Sequence, residues 1–233
     1  MATFANLNRR TAALAVGLAA TLGLAPQWAA AQQFPTKPVR IITPFPVGGG
    51  PDGVARLVAD KLSKTWGQSV VVENRPGGNG FIAIDAFKRG AKDGHDLIVL
   101  DNVHLAAYPS LFKKLPYDTA KDFDPLLPLF RTYFFFTVGT NSPYKTVAES
   151  GGPKDFAVTG WNAIAVPPGL PAAVTDKIKR DIEQALTGPD VTEKFKTFGY
   201  EPFPTTRAQF DQFVKDESKR FGDVIRQANV SLD

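Results

Sequence analysis

Short apolar runs alternate with amphipathic stretches in the first half of the chain. Val39–Ile42, Val70–Glu73 and Leu97–Leu100 are compact runs dominated by Val, Ile and Leu, which predicts three buried strands. Apolar residues from Val54 to Leu62 fall on one face of a predicted helix, and Phe81–Phe87 predicts a second helix. Strands separated by helices favour a parallel sheet with right-handed crossovers, so the fold class is α/β.

The second half predicts two further strands and three helices. Tyr133–Val138 and Trp161–Val166 have the composition of buried strands. A helix begins near Pro171, a short one is capped by Gly199, and a long one follows the N-cap candidate Thr206. These helices are amphipathic, so each one needs a partner surface against which its apolar face is buried.

Two segments break this regular pattern. Leu115–Asp118 and Asp122–Pro125 predict a connection that is interrupted by prolines. Lys145–Glu149 starts like a helix but meets Gly151-Gly152-Pro153 after barely one turn. A single turn has too few hydrogen bonds to offset helix nucleation, so we expect no stable helix there.

The first 31 residues have the pattern of a secretory signal peptide. Arg9 and Arg10 are followed by the uncharged, mostly apolar run Thr11–Ala25 and by the small residues Ala29–Ala31. The alternative is an uncleaved anchor, but the run is shorter than the ~20 residues that a membrane span needs. The pattern predicts cleavage at Ala31/Gln32 and export to a bacterial periplasm.

Composition excludes several kinds of site. Removing residues 1–31 from the 233-residue chain leaves 202 residues, and the loss of two arginines lowers the formal net charge from +4 to +2. This charge is too low to favour nucleic-acid binding, which needs a clustered basic face. The chain has no cysteine, so disulfides and thiolate metal sites are excluded, and 43% of its residues are hydrophobic, enough for a core.

Two glycine-rich loops carry the candidate chemistry. Pro44–Asp52 and Asn74–Gly80 each follow a predicted strand and precede a predicted helix. Backbone N–H groups at such a position lack intrahelical acceptors, and the helix dipole adds partial positive charge. The sequence therefore predicts a pocket for a small anion, either a carboxylate or a phosphate.

A nucleotide-dependent oxidoreductase is the main alternative. Gly48-x-Gly50-x-x-Gly53 matches a dinucleotide fingerprint, and Glu73 lies where an acid could bind a ribose. Four residues separate the first strand from Gly48, Pro51 removes one amide, and export takes the chain away from soluble nicotinamide cofactors. Asp101 and His104 have no candidate nucleophile beside them, so we expect no enzyme activity, no cofactor and no metal.

Several segments resemble one family of receptors. They are the export signal, the first glycine loop, and the runs Gly67–Gly77, Lys92–Leu97, Leu115–Asp118 and Val166–Pro171. Together they resemble the tripartite tricarboxylate transporter solute receptors, the Bug family of periplasmic binding proteins. The resemblance implies two α/β lobes around a cleft, in a type II-like periplasmic-binding-protein architecture. It implies capture of a small mono-, di- or tricarboxylate for delivery to a membrane permease, with no chemistry.

The resemblance also implies a set of ligand-binding residues in three loops. Carried over position by position, they are Phe45, Pro46, Val47, Gly48, Gly49, Asp52, Gly77, Gly78, Asn79, Gly80, Asn102 and His104. Three readings stay open. Asp52 can instead be a helix cap, Asn79 can instead adopt a left-handed turn, and Arg75 can form a structural salt bridge with Glu73 or Asp85.

The chain departs from the family pattern in lobe two. Two lobes of about 140 residues each would need roughly eighty residues more than the mature chain has, which predicts an internal deletion fused near Thr146–Ser150. We expect a signal peptide at 1–31, a nearly complete lobe one formed by 32–132 and 167–233, and a truncated lobe two with crossing strands at 133–166. Such a deletion implies impaired binding, and a non-functional remnant is a further alternative.

Overall fold

The computed structural model of the chain describes residues 34–135, 137–150 and 158–232. The chain divides into two units, Met1–Phe34 and Pro35–Asp233, and all described residues except Phe34 lie in the second. The predicted signal peptide therefore lies outside the described residues. Within them, no helix combines the length and the apolar character that crossing a membrane requires.

The second unit alternates strands and helices in its first half and ends with three consecutive helices, the last of which is the longest. The strands are β1 (Val39–Thr43), β2 (Val70–Asn74), β3 (Asp96–Asp101), β4 (Asp124–Tyr133) and β5 (Thr159–Val166). The helices are α1 (Gly50–Trp66), α2 (Phe81–Lys88), α3 (Tyr108–Leu111), α4 (Thr119–Asp122), α5 (Ala172–Leu186), α6 (Pro189–Phe198) and α7 (Arg207–Ala228).

The five strands form one mixed sheet in the order β2-β1-β3-β5-β4. β1 pairs in parallel with β2 and β3, whereas β5 runs antiparallel to both β3 and β4. The predicted α/β class and the parallel arrangement of the first three strands are confirmed. Because β1 and β2 are parallel, the loops that follow them leave the same edge of the sheet.

Helix α7 shows why the C-terminal prediction succeeded. Thr206 and Gln209 form a capping box at its N-terminus, with the Thr206 side chain accepting a hydrogen bond from the Gln209 backbone. Its apolar face packs on the sheet, where Phe210 meets Trp161 edge to face with ring centroids 5.7 Å apart. The predicted N-cap is therefore confirmed, and Phe210 is fully buried.

Strand β4 corrects the predicted strand at Tyr133–Val138. The strand ends at Tyr133, and Phe134 and Phe135 beyond it are exposed. Asp124 and Pro125, which we placed in an irregular connection, form its beginning. Prolines are tolerated because β4 is an edge strand and its register against β5 shifts at two places.

The segment between β4 and β5 contains no helix among its described residues. Thr146–Ser150 closes into a hydrogen-bonded turn, in which the Glu149 N–H donates to Thr146 Oγ1 at 3.2 Å. The predicted failure of this segment to form a helix is confirmed. The boundaries between the two lobes stay a prediction.

Candidate functional site

The two glycine-rich loops lie side by side at the carboxyl edge of β1 and β2. We call Pro44–Gly49 the first loop and Arg75–Gly80 the second loop. Thr43 at the end of β1 is the parallel partner of Asn74 at the end of β2, and the Arg75 N–H donates to the Thr43 carbonyl at 2.8 Å. The sheet register therefore fixes the starting points of both loops. An open α/β sheet binds ligands at this edge.

A buried carboxylate holds the first loop in shape. Asp52 lies in the first turn of α1 and is 2% exposed. Its carboxylate accepts hydrogen bonds from the Gly48 N–H at 2.9 Å, from Asn74 Nδ2 at 2.8 Å and from Arg56 Nε at 3.0 Å. Asn74 Nδ2 also donates to the Phe45 carbonyl at 3.0 Å. In the sequence, the only indication of this role is that Asp52 is a residue type common at helix N-caps and lies near the predicted helix start.

This arrangement corrects the predicted cap and defines the charge at the first loop. The N-cap of α1 is Gly49, and Asp52 bonds back to the loop from inside the helix. Burial alone would raise the pKa of Asp52, but the donors from Arg56, Gly48 and Asn74 outweigh burial and hold that pKa below its ordinary value. Asp52 is therefore ionised and paired, and its contact with a ligand stays a prediction.

The second loop has an unusual run of left-handed backbone conformations. Gly77, Gly78, Asn79 and Gly80 all have positive φ angles, of 106°, 53°, 52° and 82°. Asn79 therefore adopts the left-handed turn conformation, which was one of its two predicted roles beside ligand contact. Its N–H and that of Gly78 open a short helical turn, where backbone amides lack intrahelical acceptors. Successive amides in such turns form concave sites that attract anions.

Arg75, at the start of the second loop, is engaged in the protein. Its Nε donates to Glu73 at 2.5 Å, which confirms the structural salt bridge as one of the two predicted pairings. Glu73 also accepts from Arg40 at 3.0 Å. With two arginines on this carboxylate, Glu73 is not free to bind a ribose, and this disfavours the dinucleotide reading.

The loop after β3 joins the first two loops through His104. Asp101 accepts hydrogen bonds from the backbone and from Nδ1 of His104, the latter at 2.5 Å. The imidazole meets the Phe45 ring edge to face, with centroids 6.3 Å apart. His104 Nε2 lies only 2.1 Å from where a Cβ on Gly80 would be. The structure therefore brings Phe45, Gly80 and His104 together.

The two predicted ligand-binding residues in the loop after β3, Asn102 and His104, are almost completely buried. Asn102 is 4% exposed and His104 is 6% exposed. Nε2 of His104 is one of the buried polar atoms without a partner among the described residues. The contacts of His104 explain its role in packing the loops, whereas its contact with a ligand stays a prediction. No group of three or more possible metal ligands occurs in the described part of the chain.

The exposed part of the site consists of backbone and small residues. Val47 is 71% exposed at the tip of the first loop, and Gly48 beside it has a φ of +87° with open space around it. Two cavities of about 820 and 320 Å³ occur in the described residues, and none of the loop residues lines either of them. The tip of the first loop is therefore open to solvent.

Tyr200 was not identified from the sequence. It lies between α6 and α7, and its hydroxyl oxygen is 1.9 Å from where a Cβ on Gly50 would be, at the start of α1. A tyrosine 150 positions away from the first loop gives no local signal of this approach. Only the packing of α6 against α1 brings it there.

Comparison with known proteins points to one family. A sequence model of the family described as "Tripartite tricarboxylate transporter family receptor" matches residues 54–151 and also residues 146–230. A UPF0065 protein of Bordetella bronchiseptica is 38% identical over 149 residues, which cover 61% of this chain but only 44% of that relative. The aligned part of the chain thus spans less than half of that protein.

Two further similarities cover more of the chain. Protein BugT of Bordetella pertussis is 24% identical over 327 aligned positions, covering 97% of this chain and 99% of BugT. A structure of an R. palustris protein with adipate has a TM-score of 0.73 at 19% identity, covering 85% of this chain and 99% of that one. At that identity the structural likeness shows the fold.

The comparisons also locate the missing sequence. The two matches to the family model overlap at residues 146–151. The BugT alignment has 327 positions and this chain has 233 residues, so at least 94 of those positions lack a counterpart here. Both findings agree with the predicted internal deletion and with a truncated lobe two.

Proposed function

The chain belongs to the tripartite tricarboxylate transporter receptor family, and on that premise we propose that it is an extracytoplasmic receptor for small carboxylates. Its lobe one provides the anion-binding wall, and its shortened lobe two provides little of the opposite wall. The permease of a tripartite tricarboxylate transporter is the proposed recipient of the solute. Export by the predicted signal peptide at residues 1–31 is part of this proposal.

The observation that carries the proposal is the meeting of two glycine loops at one sheet edge. Backbone N–H groups of residues such as Gly78 and Asn79 lie in the positive-φ turn that precedes α2, whose N-terminus carries partial positive charge. The nearby Arg56 and Arg75 are both paired with carboxylates, so neutral amides remain as the anion donors. A carboxylate oxygen accepts such hydrogen bonds without needing a cation. The similar R. palustris fold with adipate supports this class of solute.

Loss of the opposite wall predicts weak binding. A bound solute would stay exposed to water on one side, so its hydrogen bonds to the loops would act in a high local dielectric. Lobe closure would also supply few additional contacts. We therefore expect dissociation constants nearer the millimolar range than the micromolar range.

Calorimetry with a solute panel tests the proposed class. The panel contains adipate, malate and citrate, with adipamide as a neutral analogue of the same chain length and NAD as the probe for the alternative function. We expect saturable binding of at least one carboxylate, and no binding of adipamide or NAD. Absence of binding by every carboxylate, or saturable binding of NAD alone, would contradict the proposal.

Two glycine substitutions provide a matched pair for the same assay. Gly48 and Gly169 have φ angles of +87° and +83°, and neither has an atom within 4 Å of an added Cβ. Both alanine variants therefore carry similar backbone strain, about 1–2 kcal/mol. Gly169 follows β5 at the opposite sheet edge, because β5 is antiparallel to β3. We expect Gly48→Ala to weaken carboxylate binding and Gly169→Ala to leave it unchanged.

A further inference from the structure

A side-chain hydroxyl lies at the start of α1, against Gly50, the residue that follows the first loop. Tyr200 Oη is 1.9 Å from the ideal Cβ position of Gly50, the first residue of α1. Gly50 has no positive φ, so it is needed here for space and not for backbone conformation. Any larger residue at position 50 would displace the hydroxyl.

Aromatic stacking fixes the direction of the Tyr200 side chain. The ring stacks on buried Phe130, with centroids 4.0 Å apart and planes 7° from parallel. It also stacks on Phe198 at 5.5 Å. The Tyr200 N–H donates to the Phe195 carbonyl at 2.8 Å, just after Gly199 ends α6 in a left-handed conformation. The hydroxyl is therefore positioned before any solute binds.

The Tyr200 hydroxyl is available as a donor. No hydrogen bond joins it to another of the described residues, although Tyr200 as a whole is half-buried. The residue therefore keeps partial exposure to solvent. Burial of the ring raises the pKa of Tyr200 above its ordinary value, so the phenol keeps its proton at neutral pH.

We propose that Tyr200 Oη donates a hydrogen bond to the solute carboxylate held at the start of α1. The inference rests on the proposed function and adds a side-chain donor to the backbone amides at the start of α1. A phenol matches a carboxylate because an O–H donor to a charged oxygen forms a short, charge-assisted hydrogen bond. No charged side chain is then needed at this position.

Tyr200→Phe tests the proposal because it removes only the hydroxyl and keeps both ring stacks. Hydrogen bonds to charged groups correspond to about tenfold or more in affinity, so we expect adipate binding to weaken by that factor. Thermal unfolding should be almost unchanged. Tyr144→Phe is the matched control, since Tyr144 lies in the exposed segment between β4 and β5 and its hydroxyl makes no hydrogen bond within the described residues.

A spectroscopic signature separates contact with the solute from a structural role. The chain has five tyrosines, so labelling with [13Cζ]tyrosine gives a simple spectrum in which Tyr200→Phe identifies one resonance. We expect that resonance to shift in proportion to saturation with adipate, and the Tyr144 resonance to stay in place. Adipamide should leave both unchanged.

The possible results distinguish the inference from the function on which it rests. If the unchanged chain binds adipate, and Tyr200→Phe binds it equally well with no shift at Tyr200, the inference is wrong and the receptor function stands. If no carboxylate of the panel binds the unchanged chain, the receptor function is wrong and the inference is rejected with it. Weakened binding together with the Tyr200 shift supports both.

Discussion

The substitution Asp52→Asn probes the network that shapes the first glycine loop. Both carboxylate oxygens are occupied, because Oδ2 accepts from the Gly48 N–H and Oδ1 accepts from Asn74 Nδ2, while Arg56 Nε contacts both. An asparagine presents one oxygen and one NH₂ group. Whichever way its amide is turned, a donor then faces either the Gly48 N–H or Asn74.

The expected cost follows from these contacts. One buried donor without an acceptor costs about 1–3 kcal/mol, and the lost charge weakens the remaining hydrogen bonds. Arg56 is partly exposed, so water can solvate its guanidinium after the substitution, and the loss of its ion pair adds little to the cost in free energy of unfolding. We expect a loss of about 2–4 kcal/mol in the free energy of unfolding, out of the 5–15 kcal/mol that a domain usually has.

The pH dependence gives the effect a definite sign. The folded pKa of Asp52 lies below its ordinary value of 3.8, so its ionised form stabilises the fold above pH 3.8. That stabilisation is lost as the pH falls through the folded pKa. The difference in stability between the unchanged chain and Asp52→Asn should therefore be constant near neutral pH and shrink below about pH 3.8.

Urea unfolding of both proteins from pH 7 to pH 3 is the assay. Asp60→Asn is the control on the same helix, because Asp60 is exposed and, within the described residues, its ion pair is with the likewise exposed Lys64, so its loss should change stability little. The reasoning is refuted if Asp52→Asn is as stable as Asp60→Asn at pH 7. It is also refuted if the stability difference grows as the pH falls.

Three further predictions concern the truncated region and export. Phe134 and Phe135 are 56% and 84% exposed, so replacing both with serine should reduce binding of a hydrophobic dye, measured by fluorescence, without lowering the unfolding temperature. Inserting, between Glu149 and Ser150, the segment that a relative has and this chain lacks should raise the unfolding temperature and make it depend on adipate. An unchanged unfolding temperature in a thermal scan would contradict the predicted deletion. N-terminal sequencing of periplasmic extract should begin at Gln32, whereas an intact Met1 form in the membrane would contradict export by cleavage.

Local patterns were sufficient where one segment determines its own structure. The N-cap at Thr206 and the strand–loop–helix order around both glycine loops are visible in a few consecutive residues. These features place the candidate site at the carboxyl edge of β1 and β2.

Long-range packing explains what the sequence did not reveal. The start of β4 was predicted as a loop because it contains Pro125. A proline is tolerated in an edge strand, and only the strand order of the whole sheet shows that β4 is one. The approach of Tyr200 to Gly50 likewise depends on how α6 packs against α1. The strand-like composition of Tyr133–Val138 gives no local sign that Phe134 is exposed, since burial depends on which surfaces pack against it.

An amide-resolved NMR titration of the 15N-labelled chain with adipate tests the central claim most directly. The account predicts saturable shifts concentrated at the amides of Val47, Gly48, Gly78 and Asn79, with a dissociation constant nearer millimolar than micromolar. Amides near Gly169, at the opposite sheet edge, should not respond. Shifts that are absent from both glycine loops at saturation, or that are confined to other parts of the chain, would contradict the claim that these loops form a carboxylate-binding wall.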